Sequence, residues 1–344
     1  MISDLIYELV QIPGPTGFES RVAKRLQELL RDHVDEIYTD KIGNLIARRK
    51  GTEGKRSLAL VAHMDQLSMV VQKVDEYVWF DKLGWIDFRN LPSTPVLILG
   101  AERDIPGVVC ATSAHFAAGG EMKLWIDVGD RQKSVSVGDP IVFVTPSQWL
   151  NDEKTILASH SIDDRLGCAV LVEVARRLTN PPRHDIYFVG SVQEEIGSQG
   201  VKHFLRQIAP DWFIALDTGF AQDALPDINK TVPMHTGLGV RRLSFAQPSD
   251  RVYPAVVNFA SPRLNQLLME NAKKMNTPFH VDIATRTFSD HSIAYEANPG
   301  MESTLMFVAR RYGHSPNEVA DLSNAGRAVD VLTQAMADMD NWEE

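Results

Sequence analysis

The stretch that decides the fold is residues 185–219, DIYFVGSVQEEIGSQGVKHFLRQIAPDWFIALDTG. Two apolar runs, residues 186–192 and 212–216, each stop at acidic residues, and residues 198–208 between them alternate apolar and polar residues at helical spacing. This pattern predicts a strand, a helix and a second strand, with carboxylates at the carboxyl ends of both strands. In an open α/β sheet, that edge is where ligands bind.

Two other apolar runs end in the same way. Residues 57–62 stop at His63-Met64-Asp65, and residues 304–309 lead toward His314. Histidine and acidic side chains gathered at one sheet edge suggest a metal site. Because the chain has only two cysteines, such a site must use nitrogen and oxygen ligands, which suits hydrolytic zinc, cobalt or manganese.

The bulk composition is that of an ordinary globular protein and excludes several classes of partner. The 344 residues fit one large domain or two moderate ones. A formal net charge of −10 argues against a nucleic-acid partner, because phosphate binding needs clustered lysine and arginine.

The apolar runs are far shorter than the ~20 residues that span a membrane, and residues 1–14 fit an amphipathic helix better than a signal peptide. Cys110 and Cys168 are far apart in the sequence, so we expect no disulfide and a cytoplasmic location.

The sequence pattern in the middle of the chain differs from the pattern on either side. Residues 67–158 contain short alternating runs separated by Gly, Pro, Asp and Asn, which indicate a small β-barrel or sandwich. We therefore expect an α/β fold in two parts, residues 1–66 and 159–344, with this β module inserted between them. Within the second part we predict a loop-rich region from 219 to 254. Helices are predicted at 3–10, 19–32, 165–178, 262–275 and 322–339.

Four clusters carry chemically useful side chains, and each has an ordinary explanation when taken alone. His63 and Asp65 fit a turn at a strand end, and adjacent acids such as Glu194-Glu195 usually belong to a solvated loop. Asp163-Asp164 would suit the start of a helix, where acidic residues cap free N–H groups and complement the dipole. His314, before Ser-Pro, fits a turn.

Taken together, the clusters favour one shared cleft, because each follows a strand or opens a helix. The chain order His, Asp, Glu-Glu, Asp, His supplies five candidate ligands and one spare carboxylate. That set suits two metal ions that share a bridging carboxylate, with the spare carboxylate as a base.

These motifs resemble the glutamyl, deblocking and tetrahedral (TET) aminopeptidases, a family of dinuclear metallopeptidases that includes cellulase-M-like proteins. The resemblance runs nearly end to end, through IPGPTGFES, DKIGNLIARRKG, AHMDQ, SIDDRLGCAV, VQEEIGSQG, IALDTG and RRYGHSPNEVAD. It implies a mixed-sheet α/β/α metallo-exopeptidase domain with a barrel-like or PDZ-like insertion that takes part in homo-oligomer assembly, often into dodecamers. It also implies short peptides as substrates and two divalent ions per subunit, zinc or cobalt.

The resemblance further implies the ligands of each ion. Asp163 would bridge the two ions, Glu195 and His314 would complete one site, and His63 and Asp217 would complete the other.

Two further residues receive roles from the same resemblance. Asp65 would orient the His63 ring. Glu194 would be the general base that takes a proton from a metal-bridging water and passes it to the leaving amine.

Some positions depart from the family pattern. Gln66 stands where an acidic residue is usual after His-Met-Asp, and Ser289-Asp290-His291 and Ser159-His160-Ser161 also differ. None of these changes removes an implied ligand. For His160 and His291 we expect surface or supporting roles rather than metal binding.

Three alternatives remain open from the sequence. A related dinuclear amidase, deacylase or carboxypeptidase would share the ligand set but would not require a free substrate α-amine. A glycosidase would use paired carboxylates without metal and would leave His63 and His314 unexplained. A non-catalytic binding protein on the same fold would retain the ligands without using them.

Overall fold

The computed structural model describes residues 1–112, 122–223, 232–246, 256–285, 287–297 and 300–342. Within these ranges the α-helices are α1 (Ile2–Leu9), α2 (Ser20–Leu30), α3 (Ile162–Arg177), α4 (Gln199–Gln207), α5 (Pro262–Lys274), α6 (Asp290–Ala297) and α7 (Ser323–Met339). The strands are β1 (Glu36–Thr39), β2 (Leu45–Arg49), β3 (Ser57–His63), β4 (Ser68–Val74), β5 (Val78–Leu83), β6 (Pro95–Leu99), β7 (Asp104–Ala111), β8 (Leu124–Asp127), β9 (Pro140–Phe143), β10 (Gln148–Trp149), β11 (Ile156–Ser159), β12 (Asp185–Ser191), β13 (Trp212–Phe220), β14 (Leu238–Ala246), β15 (Val256–Phe259), β16 (His280–Thr285), β17 (Glu302–Arg311) and β18 (Glu318–Asp321).

A large mixed sheet forms the centre of the molecule, in the order β1-β2-β12-β3-β13-β17-β18-β11-β10. Strands β12, β3, β13 and β17 are mutually parallel neighbours, and strand β14 joins β17 and carries β15 and β16. The parallel strands are buried along nearly their whole length, which explains their almost continuous apolar sequences. Their carboxyl ends therefore meet at one edge of the sheet.

Helices cover both faces of this sheet. The larger core packs one face against α1, α2, α3, α5 and α7, and a smaller core packs the other face against α4 and α6. The predicted α/β/α class is thus confirmed. Within the described residues, no helix is both long and apolar enough to cross a membrane.

A closed barrel of β4, β5, β8, β7, β6 and β9 is inserted after β3 and has a hydrophobic core of its own. This agrees with the prediction of a small β-barrel from short alternating runs. The division into 1–66, 67–158 and 159–344 stays a prediction. Strand β10 and all of β11 except Ser159 fall within 67–158 but pair in the large sheet, β11 with β18.

Several predicted helix ends match the structure for the expected reasons. Ser261 accepts a hydrogen bond from the Leu264 backbone N–H and Pro262 occupies the first helical position of α5, as the capping signal predicted. Helix α3 is assigned from Ile162, but Asp163 and Asp164 have non-helical backbone angles. The regular helix therefore begins near Arg165, as expected.

The loop-rich region predicted for 219–254 is wrong at 219–220 and 238–246, which are strands, whereas 221–223 and 232–237 lie outside the strands and α-helices. Strand β13 continues to Phe220, and β14 fills 238–246 and pairs with β15, β16 and β17. The adjacent Arg241 and Arg242 interrupt the alternation that marks a strand, and the pairing with β16 shifts register at the same place. Residues 224–231 and 247–254 of this prediction lie outside the described ranges.

Candidate metal centre and cavity

The predicted site residues meet at the carboxyl edge of the parallel strands. His63 is the last residue of β3, and Asp217 lies within β13 rather than beyond its end. Asp163 opens α3, with a cis peptide bond to Asp164. Glu194 and Glu195 lie between β12 and α4, and His314 lies between β17 and β18.

The expected ligands fall into two groups that share Asp163. The first group is His63, Asp163 and Asp217, and the second is Asp163, Glu195 and His314; within each group, one ligand atom per residue lies within 4.8 Å of the others. His63 Nε2 is 3.3 Å from Asp163 Oδ1 and 3.9 Å from Asp217 Oδ1. On the other side, His314 Nε2 is 3.6 Å from Asp163 Oδ2. The two carboxylate oxygens of Asp163 therefore face different histidines.

Asp65 connects the His63 ring with the acidic pair. Its carboxylate accepts hydrogen bonds from the Glu194 and Glu195 backbone N–H groups at 2.9 and 3.2 Å, and from the Thr16 hydroxyl at 2.9 Å. His63 Nδ1 lies 3.4 Å from Asp65 Oδ1 and 3.2 Å from the Asp65 backbone oxygen. Both oxygens are acceptors, so Nδ1 carries a proton, and Nε2 is the nitrogen that faces the group of potential ligands.

His314 is oriented by the barrel rather than by the main sheet. Its Nδ1 lies 3.1 Å from the backbone oxygen of Trp85, in the connection after β5. A carbonyl oxygen only accepts hydrogen bonds, so the proton is again on Nδ1 and Nε2 is the nitrogen available to a metal.

Asp163 is held by two residues that the sequence analysis did not single out. Arg310 forms a short ion pair with the Asp163 carboxylate and also donates to Glu318 Oε1 at 2.8 Å. Glu318 in turn accepts from the backbone N–H groups of Asp163 and His314, at 3.0 and 3.1 Å. Arg310 and Glu318 each stand four positions from His314 within the quoted RRYGHSPNEVAD motif. This proximity to a predicted ligand is the only feature of the sequence that could have pointed to them.

Burial and like charge shift the acidic groups toward their neutral forms. Burial, together with the neighbouring Asp163, raises the pKa of Asp217 to about 7. Burial likewise raises the pKa of Glu195 to about 8, although His314 opposes the shift. The pKa of Glu194 is raised well above its usual range by burial, with Asp217 and Glu195 adding to the effect. Positive charge placed among these groups would therefore relieve an unfavourable accumulation of buried carboxylates.

The donor set fits divalent ions. Bonds of about 2.0–2.2 Å from zinc to nitrogen or oxygen place neighbouring ligand atoms roughly 3–4 Å apart, which is compatible with the spacing within each group. Both histidines direct Nε2 toward the shared Asp163, and every other member is a carboxylate; an ion bound there would take the place of the proton on each Nε2. The residues present are therefore able to hold two ions that share Asp163.

A cavity of about 840 Å³ opens onto these groups. One wall carries Asp163, Glu194, Glu195 and Asp217. The barrel and the connection after β5 contribute Asp81, Lys82, Gly84, Trp85, Asp87 and Asn90 to the lining. Both modules of the chain thus form the space in which a substrate would lie.

The positions that depart from the family pattern lie outside the ligand groups. Gln66 is buried and its side chain accepts from the Gly14 backbone N–H at 3.1 Å. His160 is buried and contacts the Thr145 backbone oxygen at 3.0 Å, and His291 is fully buried beside the Ser289 hydroxyl. Of the two roles expected for these histidines, the structure excludes the surface one, because both rings are enclosed by the fold, and it leaves the supporting one.

Comparisons with known proteins agree with this architecture. The family model described as M42 glutamyl aminopeptidase matches residues 43–331. A putative aminopeptidase of Acetivibrio thermocellus is 30% identical over 97% of this chain and 98% of its own.

Solved structures share the whole fold. An aminopeptidase from the archaeon Desulfurococcus kamchatkensis is 26% identical and superposes with a TM-score of 0.87 over 96% of this chain and 93% of its own. The TET1 peptidase of Pyrococcus horikoshii, described as able to assemble into a tetrahedron or a large octahedral shell, is 23% identical. It superposes with a TM-score of 0.82 over 98% of this chain and 99% of its own.

Proposed function

The chain belongs to the M42 glutamyl aminopeptidase family and is a peptide hydrolase, and from this premise we propose that it removes N-terminal residues from peptides in a metal-dependent reaction with Glu194 as general base. The observation that carries the proposal is the sharing of Asp163 by two ligand groups beside the cavity. This arrangement favours an exopeptidase over a glycosidase, since a glycosidase would make no use of the two histidines.

The proposed ligands are those that the family resemblance implied. Asp163 would contact both ions; the remaining ligands would be His63 and Asp217 for one ion and Glu195 and His314 for the other. When bound, two zinc or cobalt ions there would supply Lewis acidity toward the peptide carbonyl and coordination for the free α-amine of the substrate. Asp65 would keep the His63 ring in the required tautomer.

Glu194 is suited to move protons because its backbone is fixed while its side chain lines the cavity. Its N–H donates to Asp65, and the following turn is closed by the Gly197 N–H bonding to the Glu194 backbone oxygen at 2.9 Å. In the proposed reaction the Glu194 carboxylate accepts a proton from the attacking water. The same carboxyl group then gives the proton to the departing amine, which leaves the base ready for another cycle.

The finer properties implied by the family resemblance also belong to this proposal. We propose that the protein acts on short peptides, that it forms a homo-oligomer such as a dodecamer, and that it works in the cytoplasm. The shared fold with the tetrahedron-forming TET1 peptidase supports the assembly, and the two cysteines of the sequence, both free, support a reducing compartment.

The decisive experiment compares wild-type protein with Glu194→Gln on aminoacyl anilides, after reconstitution with zinc or cobalt. Wild type should bind two ions per chain, hydrolyse free aminoacyl anilides and leave N-acetylated controls intact. Glu194→Gln should retain both ions and lose about 10²–10⁴-fold in kcat, which is the usual contribution of a general base.

Two outcomes would contradict the proposal. Preference for the N-acetylated substrates would indicate a deacylase, because an aminopeptidase needs the free amine. Near-wild-type turnover of Glu194→Gln with both ions bound would remove Glu194 from the role of base.

A further inference from the structure

A short segment of the barrel lies directly against one half of the ligand set. This barrel loop, residues 84–88, follows β5 and forms part of the cavity wall. The Trp85 backbone oxygen is 3.1 Å from His314 Nδ1. A Cβ built on Gly84 would lie 3.3 Å from the Glu195 Cβ. The barrel loop therefore contacts both residues that accompany Asp163 in the second ligand group.

The barrel loop is anchored in the barrel on either side of these contacts. Ile86, next to Trp85, is buried in the barrel core. Its backbone oxygen accepts from Lys82 Nζ at 3.3 Å, and the Phe88 ring packs edge-on against Phe80 with centroids 6.0 Å apart. The Trp85 carbonyl is therefore presented from a well-packed support, although the indole itself is half exposed.

The orientation of His314 depends more on the barrel loop than the orientation of His63 depends on any distant segment. His63 ends a buried strand and is fixed by Asp65, only two residues away. His314 lies in a connection, and its side chain remains 30% exposed. Besides Asp163 at Nε2, the Trp85 carbonyl and the Phe220 ring, at 5.8 Å between centroids, contact its imidazole.

We propose that the barrel loop is a positioning element for the Asp163–Glu195–His314 metal site, in which the Trp85 carbonyl fixes the His314 tautomer and Gly84 allows close approach to Glu195. The inference rests on the proposed function, because it assigns a task within that metal centre. Outer partners of metal-bound histidines typically change metal affinity 10–100-fold. Displacing the barrel loop should therefore weaken one ion and spare the ion at His63 and Asp217.

The test is a calorimetric zinc titration of the full-length protein, with bound metal counted by elemental analysis. In Gly84→Ala, the new methyl would lie 2.7 Å from Leu67 Cδ2 and 3.3 Å from Glu195 Cβ, at a φ of +100°. The matched control is Gly138→Ala in the same barrel, where φ is +93° and no atom lies within 4 Å of the new Cβ. Both variants carry similar backbone strain, but only the first pushes on the site.

Gly84→Ala should bind one ion as wild type does and the other at least tenfold more weakly, whereas Gly138→Ala should bind both ions normally. Equal binding in the two variants would overturn the inference and leave the proposed function intact. Equal weakening of both ions in Gly84→Ala would also overturn it, because the effect would then be general. Wild-type protein that binds no divalent metal would overturn the proposed function itself, and the inference with it.

A second pair of variants covers the case in which Gly84→Ala does not fold. Ile86 and Ile105 are both buried in the barrel core, so truncation to alanine should destabilise the barrel in a comparable way. Ile86→Ala should weaken the same single ion, since the support behind the Trp85 carbonyl is lost, and Ile105→Ala should not. Identical metal binding by this pair would contradict the inference.

Discussion

At the scale of single residues, Asp163 is where opposing charges are balanced. Burial alone would raise the pKa of the Asp163 carboxyl group. Arg310 nevertheless holds this pKa well below its usual range, and His314 and His63 add to the effect. Arg310 is itself almost fully buried and is shared with Glu318. This guanidinium therefore compensates two enclosed carboxylates in the metal-free protein.

Arg310→Met tests this balance. Removal of one partner of a buried ion pair typically costs about 3–5 kcal/mol of unfolding free energy, and we expect that loss in the metal-free protein. Saturating zinc should restore much of it, because positive charge returns beside Asp163. Urea unfolding with chelator and with zinc measures both values.

The control for this variant is its neighbour. Arg311 pairs with Asp223 in a more exposed position, so Arg311→Met should cost at most about 1 kcal/mol, with or without zinc. The contrary outcome is that Arg310→Met loses as little unfolding free energy as Arg311→Met, and equally with and without zinc. That result would show that Arg310 does not balance the buried charges.

At the scale of elements, the connection between β12 and α4 delivers Glu194 and Glu195 to the site. Asn44, at the start of β2, secures both ends of this connection. Its side-chain oxygen accepts from the Val192 N–H at 3.1 Å, and its amide donates to the Gly200 oxygen at 2.9 Å. The geometry of the proposed general base thus depends on a residue remote from it in sequence.

Asn44→Ala should disturb this connection. The Val192 N–H and the Gly200 oxygen would lose buried partners, at about 1–3 kcal/mol for each unsatisfied group. We expect kcat for aminoacyl anilides to fall more than KM changes, because Glu194 would be displaced from the proton that it transfers. Steady-state kinetics and urea unfolding measure the two effects.

The comparison for Asn44→Ala is Asn271→Ala. Asn271 is also fully buried, but it bonds within α5 to the Leu267 oxygen. The substitution Asn271→Ala should therefore lower stability without changing kcat. An unchanged kcat in Asn44→Ala would mean that the connection holds Glu194 in place unaided.

The sequence predicted elements well wherever one periodicity continued without interruption. The apolar runs before His63 and after Asp185 became parallel strands, and the capping signal at Ser261 marked the start of α5. Strand β14 was missed because Arg241 and Arg242 break its alternation. The end of β13 was also misplaced, since Asp217 resembles a strand terminus although the pairing with β17 continues past it.

At the scale of the whole molecule, enclosed neutral histidines make stability depend on pH. Burial lowers the pKa of His160 to about 4 and that of His291 to about 3, whereas an unfolded chain keeps histidine near 6.5. The unfolded state therefore binds more protons as the pH falls below about 6.5. The contribution of these two histidines to stability is fully present above that pH. It is lost progressively as the pH falls to about 4 for His160 and to about 3 for His291.

His291→Gln should make this acid dependence shallower. Each buried neutral histidine contributes about 1.4 kcal/mol per pH unit within its window, so the variant should lose one such contribution between pH 6.5 and 4.5. Urea unfolding across that range, with chelator present to exclude metal effects, measures the slope. An unchanged slope would mean that the folded protein admits a proton to this ring.

From the sequence, we could predict which residues make up the candidate site but not how the barrel contributes to it. The motifs indicated which histidines and carboxylates converge, because parallel strands bring their carboxyl ends to one edge. They gave no sign that Trp85 reaches His314, since that contact uses a backbone oxygen and joins positions 229 residues apart. Side-chain identity carries no information about such a contact, and only the docking of the barrel on the sheet creates it.

The Glu318 contacts also have a consequence for biosynthesis. Glu318 bonds to the backbone N–H groups of Asp163 and His314, so the proposed centre unites segments that leave the ribosome far apart in time. A nascent chain can complete β3, the barrel and α3 while it still lacks these late partners. During translation, the chain is thus expected to stay inactive toward neighbouring nascent peptides until His314 and Glu318 have emerged.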